Sequence, residues 1–310
     1  MKSIHKNIIK FLISGIILIY VFFNIDFKEF FLLLKNIEYF YLIPAFLLLF
    51  VSLFLMVLKW IIILKKYIVI KLKRIFLIYW SSDFINIFGL GAIGGETYKM
   101  IAFENKKKAL MTSLFDKILS FYWYLALGSS FLLSYVILKN TNITFVIFLG
   151  FCIYVLINLI TLVLNYYRKK VIKKIPIKKI RNILNKINLT SKNLIYHSLL
   201  SVLIIVNTAL IYSLIFKSLS LKMMIVQLMI FIPILKIAVT LPISFEGLGV
   251  REFLFIKFAS IVSINLELAL LSSLIIYFLS MFYRFTGIIP FLFFNKKKNN
   301  INNSIDKSEY

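Results

Sequence analysis

The sequence predicts an all-α polytopic membrane protein with six full transmembrane helices and two interrupted, re-entrant helical hairpins of opposite entry. Three observations lead there. Of the 310 residues, 61% are hydrophobic, where a soluble domain carries a little under half. Most of them fall into runs long enough to cross a hydrocarbon core at about 1.5 Å of rise per residue. Two further apolar runs are broken by glycine and charge, and irregular backbone at membrane depth is tolerated only where protein buries it or a wet cavity receives it.

Taken in order, residues 8–23 form the first expected span. No small-residue cleavage site follows it, so a retained helix is expected rather than a signal peptide. The other five expected spans are residues 39–64, 118–138, 143–164, 194–216 and 266–294. The first interrupted region covers residues 75–103 and breaks at GLGAIGGETYK, residues 89–99. The second covers residues 223–262 and breaks at LPISFEGLGVREF, residues 241–253. Residues 1–294 are expected to form a single integral membrane domain and residues 295–310 a polar cytoplasmic tail.

Positive charge sets the orientation. With the N-terminus inside, and with each interrupted region returning to the side it came from, twenty-five Lys and Arg side chains lie in inside segments and five in outside ones. The positive-inside rule favours that wiring, with both termini cytoplasmic in the cell membrane. It also makes the first hairpin enter from the cytoplasm and the second from outside, a pseudo-inverted arrangement in which transporters commonly place a binding site.

The net charge of +25 does not point to nucleic acid, because the basic residues sit in short clusters between apolar segments. Residues 165–192 mix Lys and Arg with Ile, Leu and Val, as a helix lying on an anionic lipid surface would; a solvated loop whose lysines set topology fits equally. Cys152 is the single cysteine, and His5 and His197 are the only histidines. No intrachain disulfide can form, and no metal site or cofactor is expected.

An ionised side chain at the bilayer centre costs roughly 2.5 to 3.5 kcal/mol on insertion scales, so each needs a partner or a purpose. Asp83, Glu96 and Lys99 lie in the first interrupted region, Asp116 and Lys117 open the next helix, and Lys236, Glu246, Arg251 and Glu252 surround the second break. Pro242 should end the helix before it, and Gly247 and Gly249 allow a tight turn or a close approach. A helix starting near Val250 would put its free N–H groups beside the Arg251 guanidinium, a pairing suited to phosphate or carboxylate. Glu246 and Glu252 would hold that arginine without ligand. Gly94 and Gly95, before Glu96 and Lys99, offer similar ingredients from the other side. The competing reading is a structural network of buried ion pairs in a non-catalytic scaffold or accessory protein.

The phrase LPISFEGLGVRE closely resembles the signature of the flippase-like membrane domain of lysylphosphatidylglycerol synthases, the multiple peptide resistance factors, and their stand-alone relatives. Pro242, Ser244, Gly247, Gly249, Val250, Arg251 and Glu252 match it. Asn86, Gly94, Gly95 and Glu96 fit a second family feature, and residues 272–291 look like its last span. Lys99 and Lys117 stand where the family usually has arginine, which removes the planar fork suited to bidentate phosphate contact. Glu246 stands where glycine is usual and adds negative charge.

The resemblance implies lipid translocation. A phosphate headgroup of an anionic or zwitterionic phospholipid, or of a polyprenyl-phosphate-linked lipid, would meet Arg251 and Lys99 in a polar midplane cavity. Glu96, Glu246, Glu252 and Asp116 would position these cations or couple protons. The synthase reaction belongs to a soluble domain that the 16-residue tail is too short to hold, so an enzyme is not expected. An alternative is a membrane enzyme acting on a lipid-linked sugar or phosphate through Asp26 and Glu29. A second copy of the chain is a further candidate partner.

Overall fold

In the computed structural model every described element is helical. The structure describes residues 12, 14–21, 23, 25–68, 71–88, 92–137, 143–166, 190–221, 224–240, 244 and 247–293. Residues 14–21 are helical and lead into α1, Phe27–Lys35. There follow α2, Leu42–Leu64, entered through a 3-10 turn at Tyr39–Tyr41; α3, Leu72–Ile87; α4, Ala92–Ile101; and α5, Lys106–Ile137. The chain continues as α6, Ile143–Tyr166; α7, Ser191–Ser218; α8, Ile225–Thr240; α9, Val250–Val262; and α10, Leu266–Phe285.

Five stretches are long and apolar enough to cross a membrane: Tyr39–Leu64, Lys106–Ile137, Phe145–Val163, Ser191–Ser218 and Leu266–Phe293. They coincide with five of the six expected spans. The sixth, residues 8–23, lies partly outside the described residues. So do most of the basic segment 165–192, the tail 295–310, Pro242 and Glu246.

Local chemistry accounts for several boundaries. The Asp26 carboxylate accepts the N–H groups of Lys28 at 2.8 Å and Glu29 at 3.3 Å and so caps α1. The Asp26 N–H in turn donates to Glu267 at 3.0 Å, and Asn265 donates to Glu29 at 2.8 Å, which ties α1 to the start of α10. Both carboxylates considered for catalysis are thus engaged at helix ends. Asn265 caps α10 by accepting the Glu267 N–H at 2.8 Å.

Within α8, Pro233 lacks the N–H that would reach back one turn. Its ring instead packs on α5 at Gly128, where an added Cβ would come to 3.2 Å from the proline ring. Helix α7 is central and α6 peripheral: 56% of the most apolar stretch is buried in α7 and 17% in α6. The exposed face of α6 carries Phe148, Leu156, Leu159 and Ile160, a surface suited to acyl chains rather than water. The main core joins α5, α7, α8, α9 and α10 through Trp123, Leu127, Ile205, Ile232, Phe255 and Leu271. A second cluster around Val57, Trp60, Ile75, Ile78 and Phe103 binds α2 to α3 and to the turn after α4.

Two sequence boundaries need correction. The third span begins at Lys106 rather than at residue 118, so Asp116 and Lys117 stand about three turns into α5 instead of opening it. The first break is also shorter than residues 89–99, because α4 is already helical from Ala92 and includes Gly94, Gly95, Glu96 and Lys99. Gly95, one of the glycines that suggested irregular backbone, serves to bring α4 against α3.

Candidate functional site

A cavity of about 330 Å³ opens among α2, α3, α5, α7, α8, α9 and α10. Its lining runs from Leu49 to Lys59 on α2, from Asp116 to Tyr124 on α5, from Thr208 to Ile215 on α7 and from Ile276 to Arg284 on α10, inside the ends of those helices. Seven charged side chains reach it: Lys59, Asp83, Asp116, Lys117, Lys236, Arg251 and Arg284. Five are cations. The remaining wall is mostly apolar, interrupted by Ser52, Asn86, Ser120, Thr208, Thr240, Ser280 and several tyrosines.

The second glycine break supplies Arg251. Gly247 and Gly249 have φ of +77° and +82°, a region that side chains with a Cβ rarely adopt. The closeness expected of them is to protein: a Cβ on Gly247 would meet Val239 of α8 at 2.6 Å, and one on Gly249 would meet Ser14 and Ile17 at 3.0 Å. The turn starts α9, whose first N–H groups were expected to await an anion. Glu252 answers the start of this turn, accepting the Gly249 N–H at 2.7 Å.

Glu252 is completely buried and also holds Arg251. Its Oε1 accepts from Arg251 Nε at 3.1 Å and Nη2 at 2.9 Å, and from the Ser273 hydroxyl at 3.1 Å. The guanidinium carbon lies 4.6 Å from the Tyr277 ring centroid. Fixed by a carboxylate and stacked on an aromatic ring, Arg251 borders the cavity with little freedom. Ser244 is buried near this turn.

The first break contributes differently. Asn86 lines the cavity while its Oδ1 accepts the Gly95 N–H at 2.8 Å. A Cβ on Gly95 would lie 2.5 Å from the Ser82 carbonyl oxygen and 2.7 Å from the Asn86 amide, so this glycine permits helix contact. At Gly94 the same test gives ordinary van der Waals distances, the nearest 3.5 Å to the Ile85 carbonyl oxygen.

Glu96 and Lys99 stand behind the cavity wall rather than in it. Glu96 accepts from Lys117 at 3.0 Å, from Lys99 at 3.2 Å and from the Ser113 hydroxyl. The Lys99 ammonium sits 3.6 Å from the Tyr79 ring centroid and 5.4 Å from that of Trp60. Such an enclosed ammonium braces α4 against α2 and α3. Of the expected phosphate contacts, Arg251 is therefore at the cavity and Lys99 is not, while Lys117, bound to the same Glu96, lines it.

Asp116 lines the cavity, and its Oδ1 lies in hydrogen-bond contact with His197 Nε2 at 2.9 Å. His197 is completely buried, and its Nδ1 has no hydrogen-bond partner among the described residues. Nearby, the Lys59 ammonium donates to the Ser120 hydroxyl at 2.6 Å, and Tyr283 donates to Asp83 at 3.2 Å. Lys59, Arg284 and His197 escaped the sequence reading. Their available signal was only that each is a polar group in an apolar run, and Lys59 and Arg284 lie close enough to helix ends to resemble side chains that snorkel to the interface.

No curated protein and no solved structure matches the chain. A family model does, over residues 7–286, which include both glycine breaks and every side chain that lines the cavity. The chain accordingly belongs to the family described as the lysylphosphatidylglycerol synthase TM region, a membrane-embedded family associated with lipid handling.

Proposed function

We propose that the protein is a lipid translocase that receives the phosphate headgroup of a membrane lipid in this cavity while the acyl or prenyl chains stay in the bilayer. The observation that carries the proposal is a charged cavity set within apolar helices, with five cations on its wall. A phosphate in the middle of a bilayer needs such groups, because the lipid around it supplies no compensating dipole. Arg251 offers a guanidinium held in place by Glu252, and Lys59, Lys117, Lys236 and Arg284 surround it with charge.

In this reading α3 with α4, and α8 with α9, are re-entrant pairs from opposite leaflets, and both chain termini are cytoplasmic in the cell membrane. Their lengths support it. At 1.5 Å per residue the 16 residues of α3 and of α8 reach about 24 Å, the 13 of α9 about 20 Å and the 10 of α4 about 15 Å, all short of a core of about 30 Å. The cavity then lies where the tips of both pairs meet, so a small rocking of either pair would expose it to one side at a time.

The test is leaflet exchange of fluorescent phospholipids in proteoliposomes. The wild type should accelerate exchange over empty vesicles. Arg251→Ala should reduce that acceleration at least tenfold, and Arg251→Lys should recover little, since an ammonium cannot reproduce the forked contact. Equal exchange by the wild type and Arg251→Ala rejects the proposal in favour of a scaffold held together by its ion pairs.

A further inference from the structure

Carboxylates form salt bridges with some of the cations around the cavity, whereas Lys59 and Lys236 form none with a described residue. Glu96 binds Lys117 and Lys99, Glu252 binds Arg251, and Asp116, hydrogen-bonded to His197, is the opposite charge nearest in effect to Lys59 without forming a salt bridge to it. Neither Lys59 nor Lys236 forms an ion pair with a described residue; Lys59 donates to a neutral hydroxyl. Lys236 lines the same cavity as Lys59, Arg284 and Asp83. In and directly behind the cavity the described residues place six Lys and Arg side chains against four carboxylates, an excess of two positive charges with His197 neutral.

We infer, taking from the translocase reading only that the ligand is a lipid, that the cavity selects a headgroup with two negative charges on phosphate, a phosphomonoester or a diphosphate, and that Lys59 and Lys236 are its counter-ions. A phosphodiester headgroup with one charge leaves half of that positive excess unanswered. A zwitterionic headgroup brings a cation of its own, and an aminoacylated one brings at least one into a space already positive. Because the walls are largely apolar, the effective dielectric is far below that of water, and each unanswered or added charge is felt strongly. The volume of about 330 Å³ holds a headgroup rather than a whole lipid. The apolar side chains on its wall, Leu49, Leu53, Ile211 and Leu235 among them, suit the first carbons of an alkyl or prenyl chain and give a free phosphate nothing to bury.

The experiment measures binding to the purified full chain in neutral detergent at pH 8, where a phosphomonoester with a second pKa of about 6 is doubly charged. Native mass spectrometry would compare phosphatidate and a prenyl diphosphate with phosphatidylglycerol, phosphatidylcholine and lysylphosphatidylglycerol, with inorganic pyrophosphate as a chain-free arm. Phosphatidate and the prenyl diphosphate should bind at least tenfold more tightly than phosphatidylglycerol, and pyrophosphate should compete only weakly. Lys236→Met and Lys59→Met should each bring phosphatidate down toward phosphatidylglycerol.

Equal affinity of the wild type for phosphatidate and phosphatidylglycerol, or a preference for the aminoacylated lipid, overturns the inference even if neither variant folds. So does a preference that survives both substitutions. Pyrophosphate binding as tightly as the prenyl diphosphate overturns its lipid part. Binding preference without leaflet exchange removes the translocase reading alone, whereas exchange of phosphatidylglycerol faster than phosphatidate removes this inference alone.

Discussion

Glu252 serves three neighbours at once. Its carboxylate caps α9 at Gly249, fixes the Arg251 guanidinium and accepts the Ser273 hydroxyl of α10. Glu252→Gln keeps the size of the side chain but leaves a buried guanidinium without its counter-charge, and breaking a buried pair in this way costs about 3 to 5 kcal/mol. A markedly lower unfolding temperature in detergent is expected, measured by the fluorescence of Trp60, Trp80 and Trp123. Unchanged melting would mean that Arg251 is held by other groups. The pair was legible in the sequence because adjacent opposite charges after two glycines stand out in an apolar run. Lys59 and Arg284 were not. Assigning the thirty-seven basic residues to loops nevertheless leaves seven over: Lys59, Lys99, Lys117, Lys236, Arg251, Lys257 and Arg284. Five of those seven line the cavity, while Lys99 sits behind its wall and Lys257 is exposed. A lone lysine near the end of a span has a cheaper explanation in snorkelling, which is why such cations did not declare themselves.

Between helices, the glycines decide which elements touch. Gly95 lets α4 lie on α3 so closely that its N–H reaches the Asn86 side chain. Gly95→Ala should push the two helices apart and lower stability by about 1 to 3 kcal/mol, the usual cost of overpacking. It should also shift Asn86 at the cavity wall and slow leaflet exchange; thermal unfolding and exchange measured on the same preparation check both effects. Gly94→Ala, where the added carbon meets only ordinary contacts, serves as the control and should change neither by much. The sequence pointed to these glycines but not to their purpose. Spacing alone cannot distinguish backbone that approaches a ligand from backbone that approaches another helix, and the surroundings that decide it come from residues such as Ser82 and Asn86 one helix earlier.

For the protein as a whole, the proposed orientation rests on charge placement, and it can be tested without a substrate. In a Cys152→Ser background, Lys107→Cys should react with an impermeant maleimide only from the cytoplasmic side, and Lys217→Cys only from outside. Labelling of both from one side would break the proposed wiring. It would also remove the opposite entry of the two hairpins, whatever the cavity binds. The five stretches long and apolar enough to cross a membrane were legible because about twenty consecutive apolar residues have few other uses. The start of α5 was not, since its first three turns carry Lys106, Lys107, Lys108, Asp116 and Lys117 and look like a loop until their partners are known.

Helical membrane character, the family resemblance and the presence of charge inside apolar segments could all be read from the order of residues. Those features are local: hydropathy, glycine, proline and the sign of a side chain are visible one residue at a time. Three-dimensional packing was needed to enclose Lys99 in aromatic rings, to pair Glu96 with Lys117, and to gather Lys59, Lys236 and Arg284 around one cavity with Arg251. Ion pairing depends on distances of a few ångströms between helices far apart in the chain, and those distances are set by how the helices pack rather than by sequence separation.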